Sequence, residues 1–498
     1  MHKLSLLALL ILVLKAANAQ TITSIGDEYE VIMSVPNERK IKSEVVYTDN
    51  EFVFASPIMI GDLGIECLNK KDLAEVWNVV IEENWKYNGI ELVPDTVLFL
   101  KNGVIVLIGV DYNKKQGKAT IYGRIYTTEG EKVETRRITT LVAPNEDDIS
   151  IHYLVSKTGM LIYSISNLKT ESSRIFQAAW IDDKLEEVKK QNTQIEGPQV
   201  IENYFYDEPR NALYLSTYPK TNKTFDFTQK DKYVIRFRKE ELAPKVEGFL
   251  FEDFNAELLI VAADTTTGKP YIFGLAEAKN SNKISSTYVI ALNTETLDKE
   301  QPRFYPISSE VVERIKEGRD MYDAAAGNSK AVNFEFMDVF FTKNEIILLY
   351  EDVFDQGTGT YQKYHKGQYV LRYAKDGKNF NQIYVPNIGL GKSKAMLNAE
   401  GQVRLFFVGD IKKFNKTNPN LKPIETTKGY AETGCFEARI DVTNKISYKT
   451  LAVIKPENGK RLWCRLSFLE IDDTKVSCYL TIASMQFVFP TFIKVSEK

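Results

Sequence analysis

Glu351, Asp352, Asp355 and His365 form the densest group of titratable residues in the sequence. Two carboxylates held about 5 to 9.5 Å apart could do acid–base work on a glycosidic bond, one protonating the leaving oxygen and the other acting as base or nucleophile. A plainer reading competes with this. With 67 Asp and Glu in 498 residues some such group is inevitable, and a histidine in a Lys-rich segment is commonly just solvated. Four apolar runs also end in aspartate, at Asp111, Asp264, Asp352 and Asp410. Superposed by a repeating fold, these would make a carboxylate cluster for a cation or a cationic ligand. Taken singly, each would accept hydrogen bonds from backbone where a strand gives way to a turn.

Other chemistry is thinly represented. Of three histidines, His2 lies in a leader-like segment, which leaves His152 and His365. Two histidines are too few for a three-His metal site, and a Ser-His-Asp triad could use only one of them. No metal site and no cofactor is expected. Gly389-Leu390-Gly391-Lys392-Ser393 looks like the end of a phosphate loop, but the position that needs glycine is Pro386. Gly357-Thr358-Gly359 would need a further glycine where Gln362 stands, and no calcium-loop series occurs. The cysteines are Cys67, Cys435, Cys464 and Cys478, too few for a disulfide scaffold. Cys464 and Cys478 flank a polar turn, so a hairpin would bring them near each other as a disulfide or as two buried thiols. Cys67 with Cys435 would be the remaining pair.

The elements that must position these residues are strands. Apolar runs at Val104–Val110, Met160–Ile165, Ala212–Thr217, Leu258–Ala263, Ile346–Tyr350, Val403–Val408 and Val476–Ala483 mostly follow turn residues such as Asn102-Gly103 and Thr158-Gly159. That punctuation is the hairpin signal. Each is followed by a second run, most alike in Tyr233–Phe237, Tyr288–Leu292 and Tyr369–Tyr373. Starts of the first runs are separated by 56, 52, 46, 88, 57 and 73 residues. Most of these lie near the repeat of a four-stranded propeller blade with lengthened loops, about 40–50 residues. One unit reads out whole as Val97–Leu100, Val104–Val110, Ala119–Tyr126 and Lys132–Ile138. Together with Glu51–Ala55 the pattern predicts an all-β propeller of about seven blades over residues 20–498, with the N-terminal strand completing the last blade. Six or eight blades, or tandem β-sandwiches, are the alternatives.

Two stretches depart from the strand pattern. Leu73, Val76, Trp77, Val80 and Ile81 follow helical spacing and predict a helix over 71–87, with Trp77 and Trp85 as packing residues. Val311, Val312, Ile315 and Met321 predict another over 308–326. Asp376-Gly377-Lys378-Asn379-Phe380 resembles the aspartate box of sialidase propellers, but its Asp and Gly are adjacent instead of two apart, and neither Gly-Gly pairs of kelch type nor a Trp-Asp dipeptide occurs. The chain thus resembles exported β-propellers in general and none of their named motif families.

The start and the charge pattern bear on location and partners. His2 and Lys3, the apolar run Leu4–Leu14 and Ala17-Asn18-Ala19 read as a signal peptide over residues 1–19, cleaved before Gln20. The apolar run is short of the roughly 20 residues that span a bilayer. Gln20-Thr21-Ile22 after Ala-Asn-Ala resembles exported proteins of certain Gram-negative bacteria, which implies the periplasm or the cell surface. No later stretch is apolar enough to cross a membrane. A formal charge of −3 argues against a nucleic-acid partner. The connections after the first runs are long and Lys-rich, and a propeller would put them on one face. Lys412, Lys413, Lys416, Tyr361 and His365 are its candidate contact residues, for another envelope protein or a glycan. Long loops are also Lys-rich simply because they are solvated. The expected role is a non-catalytic binding or scaffold module, with a carbohydrate-active hydrolase or lyase, or a glycan-binding lectin, as alternatives on the same face.

Overall fold

A computed structural model describes residues 20–24, 28–34, 43–57, 64–80, 85–144, 149–167, 173–197, 199–219, 232–249, 254–256, 258–278, 284–313, 333–355, 363–389, 392–417, 432–456, 462–472, 475–484 and 491–498. The proposed signal peptide and Tyr361 lie outside them. The fold is an eight-bladed β-propeller, each blade an antiparallel sheet of four or five strands. The seven first runs and the Glu51–Ala55 segment mark one blade each. The eighth blade is therefore the Glu51–Ala55 segment itself, whose strand Phe52–Pro57 pairs with Ser43–Thr48 and Gly64–Asn69.

The chain divides into two compact units. Unit one holds blade 1 (residues 43–80) and blades 6, 7 and 8 (residues 333–389, 394–456 and 462–497). Unit two holds blades 2 to 5 (residues 85–142, 149–196, 199–249 and 254–306). N-terminal strands finish two of the unit-one blades. Gln20–Ser24 pairs with Ile446–Pro456 of blade 7, and Tyr29–Met33 pairs with Thr491–Glu497 of blade 8. The expectation named a single completing strand; two are used.

Alternation along the strands sends apolar side chains to both faces, so the core forms between blades. Ile108 and Ile121 of blade 2 meet Ile162 and Ala179 of blade 3, whose other face sets Phe176 and Trp180 against Leu213 and Phe237 of blade 4. In unit one, Leu349 and Val370 meet Phe407 and Phe436, and Val408 and Ala452 meet Leu466 and Leu480. Turn chemistry fixes the register. Gly159 has a φ of +137°, and a Cβ there would lie 2.2 Å from the Ile181 carbonyl oxygen, so the Thr158-Gly159 turn admits no side chain.

Three expectations are corrected. The helix expected over 71–87 does not form at 71–80 or 85–87, and residues 81–84 lie outside the described ones: a turn places Leu73 at φ 57°, and Glu75–Val80 is the fourth strand of blade 1, with Trp77 opposite Cys67. Leu73 is buried but Val76 is half exposed, which one apolar helix face would not allow, and β-branched Val76, Val79 and Val80 suit a strand. Trp85 begins the next strand and packs under Gly109, where a Cβ would come within 2.3 Å of its ring. Cys464 and Cys478 do not face each other: Cys464 is in register with Ile482 and Cys478 with Leu469. All four cysteines are free and buried, and the Cys478 thiol meets Cys435 of blade 7 instead. Leu258–Ala263 is a first strand of its blade and not the equivalent of Val104–Val110; its hairpin partner Pro270–Ala278 is.

Residues 309–313 begin the expected second helix, where the Ser308 hydroxyl accepts from the Val311 amide at 3.3 Å; residues 314–326 lie outside the described ones. A helix not anticipated, α1 (Ile411–Thr417), follows the second strand of blade 7. Its Phe414 stacks on Phe436 at 4.0 Å and 14°.

Candidate functional site

Within unit one the first strand of blade 8 touches that of blade 1, and the first strand of blade 7 touches those of blades 6 and 8. The first strands are therefore the inner edge. Several carry a β-bulge at nearly the same depth. The extra residue is Val46 in blade 1, Asp95 in blade 2, Glu202 in blade 4, Met337 in blade 6 and Ser467 in blade 8. A bulge bends the strand and re-aims the side chains beside it.

On four inner strands of unit one sit Glu44, Asp338, Lys394 and Arg465. Arg465 reaches Glu44 at 2.5 Å, joining blades 8 and 1. Burial raises the pKa of Glu44, opposed by Arg465 and Lys394. Asp338 follows the Met337 bulge, and burial pushes its carboxyl from 3.8 up to about 6 against the pull of the Val339 amide and Lys394. Burial also lowers the pKa of Lys394, opposed by Glu44 and reinforced by Arg465 and Lys392. Lys394 is only partly buried and makes no ion pair within 4 Å among the described residues.

Register places three of the four at one end. Glu44 lies opposite Ser56, Lys394 opposite Phe406 and Arg465 opposite Thr481, each away from the first hairpin turn of its blade and toward the connection between second and third strands. That connection in blade 7 carries α1, whose Lys412 and Lys416 are exposed while Ile411 and Phe414 are buried. Lys413 belongs to the same helix.

Unit two uses its inner strands differently. Tyr153 of blade 3 donates to the Asp95 carboxylate of blade 2 at 2.5 Å. Burial raises the pKa of Asp95 despite this bond, and the field of Asp95 only partly offsets the lowering that burial imposes on His152. The His152 ring stacks on Tyr163 at 4.8 Å, and Tyr163 lies 5.5 Å from Tyr204. Glu202 in blade 4 meets Lys232 at 3.3 Å, both nearly inaccessible.

The carboxylates singled out in the sequence are largely structural. Asp352 is buried and accepts from the Tyr384 hydroxyl at 3.2 Å, and neighbouring Glu351 accepts from the Ser393 amide at 2.7 Å. Asp410 ends the corresponding strand of blade 7, so these two occupy equivalent places in unit one. In unit two Asp111 lies inside the second strand of blade 2, while Asp264 ends a first strand and caps a turn by accepting from the Thr266 amide at 3.0 Å. They sit at opposite ends of their blades, so the superposition of four does not form as expected. His365 pairs through its backbone with Val353 and Gly389 in blade 6. Among the described residues no group of three or more His, Cys, Asp or Glu is placed to hold a metal. None of their helices is long and apolar enough to cross a membrane.

Sequence reasoning missed the inner-strand quartet because its members are scattered from residue 44 to residue 465. The usable signal was a charged residue early in three of the first strands, at Glu44, Lys394 and Arg465, where the alternation otherwise predicts a half-buried position.

No family model and no curated protein matches this chain. Among solved structures it is similar to the polysaccharide lyase Uly1, with 11% identity over 96% of this chain and 100% of that one and a TM-score of 0.40. It is also similar to the Dos1 propeller, with 8% identity over 90% and 76% and a TM-score of 0.33. A point mutant of Synechocystis ACO gives 8% identity over 88% and 93%, with a TM-score of 0.39.

Proposed function

We propose that this protein is an exported, non-catalytic binding module whose unit one receives an anionic segment of another cell-envelope protein. Lys394 carries the reading. A half-buried ammonium with no ion-pair partner among the described residues, beside Arg465 and near the exposed Lys392, attracts a carboxylate brought from outside. A charge of this kind gains more from an incoming anion than a fully solvated lysine would, because water screens it less. The lysines of α1 lie on the connection at the same end of blade 7 and would extend the contact. Export follows from the basic start, apolar run and Ala-Asn-Ala site of residues 1–19.

The test is capture of partners from envelope fractions by the wild type, by Lys394→Gln and by the triple change Lys412→Glu, Lys413→Glu and Lys416→Glu. A stoichiometric partner recovered by the wild type and lost from both variants is the expected result. The same partner recovered equally by all three would overturn the reading. Mass spectrometry of the mature protein should show Gln20 at its N-terminus.

A second reading rests on Asp338. A carboxyl that titrates near 6 can trade protons close to neutral pH, as a carbohydrate-active hydrolase or lyase requires. Turnover of an acidic polysaccharide by the wild type, abolished in Asp338→Asn, would favour it over the binding module.

A further inference from the structure

Three of the four cysteines meet in one core of unit one. Cys435 of blade 7 and Cys464 and Cys478 of blade 8 belong to a single apolar cluster between these blades, each no more than 2% exposed. Tyr29, from the N-terminal strand that completes blade 8, packs into the same cluster. Cys67 is not part of it and lies in blade 1, opposite Trp77. All four are thiols in the structure.

Register and contact decide which two can bond. Cys464 is in register with Ile482, four positions from Cys478 on the same strand. At about 3.4 Å per residue the two are roughly 13 Å apart along the ladder, well beyond the Cα separation of about 4.4–6.8 Å that a disulfide spans. Cys435 reaches both: its field acts on the Cys464 thiol, and it hydrogen-bonds with the Cys478 thiol. The direct thiol–thiol contact selects Cys478 as its partner. Burial, with the field of Cys435, holds the Cys464 thiol well above its ordinary pKa, and the hydrogen bond with Cys435, with burial, does the same for Cys478. Exchange proceeds through the thiolate, so these sulfurs react slowly once the core has closed. A bond between them must form while the chain is folding, and the core then shields it from reductants.

An exported chain meets disulfide-forming conditions as it folds. We propose that Cys435 and Cys478 form a disulfide that ties blade 7 to blade 8, while Cys464 and Cys67 remain thiols. The inference rests on the export proposed above and is independent of the anionic contact. Two S–H bonds break and one S–S bond forms. The two electrons and two protons pass, through a mixed disulfide, to a thiol–disulfide oxidase whose own disulfide becomes a dithiol. The bridged blades carry Lys394 and Arg465 on their first strands and take Gln20–Ser24 and Tyr29–Met33 at their outer edges. The cross-link therefore lies where the N-terminal and C-terminal segments of the chain join.

Thiol counting on the full chain tests it. The protein is unfolded and reduced, refolded with reduced and oxidised glutathione, alkylated in denaturant and weighed. Two alkylated cysteines, Cys67 and Cys464, and a linked peptide pair joining Cys435 to Cys478 are the expected result. The oxidised protein should melt about 2–4 °C above the same protein refolded under reducing conditions. That wild-type comparison stands even where a variant fails to fold. Cys464→Ser should keep both the bond and the difference in melting temperature, whereas Cys435→Ser and Cys478→Ser should lose both. Four alkylated cysteines, or a linkage through Cys464 or Cys67, would overturn the proposal. Refolding in glutathione needs no export, so failure here strikes the bridge alone, and the N-terminal residue of the native protein tests export separately.

Discussion

The inner strands of unit one and of unit two share a backbone device and differ in how their polar groups are satisfied. In unit two the bulge residues are Asp95 and Glu202, and each is answered by a neighbour: Tyr153 at 2.5 Å for the first and Lys232 at 3.3 Å for the second. In unit one the bulge residues are Val46, Met337 and Ser467, and the charges stand beside them. There Arg465 answers Glu44, but Lys394 has no close ion-pair partner among the described residues and Asp338 is held by one backbone amide. Closed pairs rigidify a fold, because every buried donor and acceptor is met. Open ones keep free energy in reserve for something that arrives later. The difference gives the unit-two groups a structural role and underlies the ligand contact proposed for the unit-one groups.

Breaking a closed pair should have the largest effect. Glu202→Ala removes a carboxylate facing the Lys232 ammonium, which is 1% exposed, and should destabilise by about 3–5 kcal/mol in denaturant melts. Lys394→Gln, at the open group, should cost far less and serves in the same melts as the internal control; equal losses would erase the distinction between the units.

Asp338→Asn should do the reverse of Glu202→Ala and stabilise. The folded pKa of Asp338, about 6, lies above its ordinary 3.8, so the folded chain holds the proton more tightly than the unfolded one. As pH rises from 3.8 to about 6 the unfolded chain ionises first, and the folded state loses about 3 kcal/mol that is then constant above that window. The asparagine variant escapes this loss. Its advantage should be full near pH ~7.5 and fade as pH falls through 6 toward 3.8, which stability curves at several pH values would read directly.

Tyr153→Phe should cost no more than about 1 kcal/mol, since the Asp95 carboxylate that loses its hydroxyl donor is exposed and water can replace it. The Asp95 carboxyl, already raised by burial, should rise further because the lost bond had been lowering it. NMR titration of its side-chain carbon would show the direction. Least affected in stability should be the Lys412, Lys413 and Lys416 to Glu variant, whose melting temperature should match the wild type while partner capture is lost. A fall in melting temperature would mean that α1 contributes packing and not contact.

Much of the fold was legible because its signals are local. Runs such as Tyr233–Phe237 and Tyr369–Tyr373 between Gly, Asn and Asp turns specify antiparallel hairpins through side-chain alternation alone, and the 46–57-residue spacing gave the blade repeat. The helix expected at 71–87 failed because a 3.6-residue period and the end of a hairpin can place apolar residues at the same intervals. Leu73 belongs to a turn and Val76 to a strand, and only their pairing partners distinguish the two cases. Asp264 was misplaced for a related reason: the sequence marks a strand, but not whether it is the first or second of its blade.

The candidate site was not legible in this way. Glu351, Asp352 and the four strand-end aspartates stood out by proximity in sequence, and the folded chain spends most of those it describes on backbone amides and hydroxyls. Glu44, Asp338, Lys394 and Arg465 looked like ordinary surface charges, each on a different strand.

By itself, the order of residues determined strands, turns and their repetition, since these depend on neighbours a few positions apart. Which charged side chains share one environment, which lose water and which keep an open valence was decided only when distant strands closed against each other. Desolvation and Coulomb interaction depend on distance through space, and no local pattern encodes it.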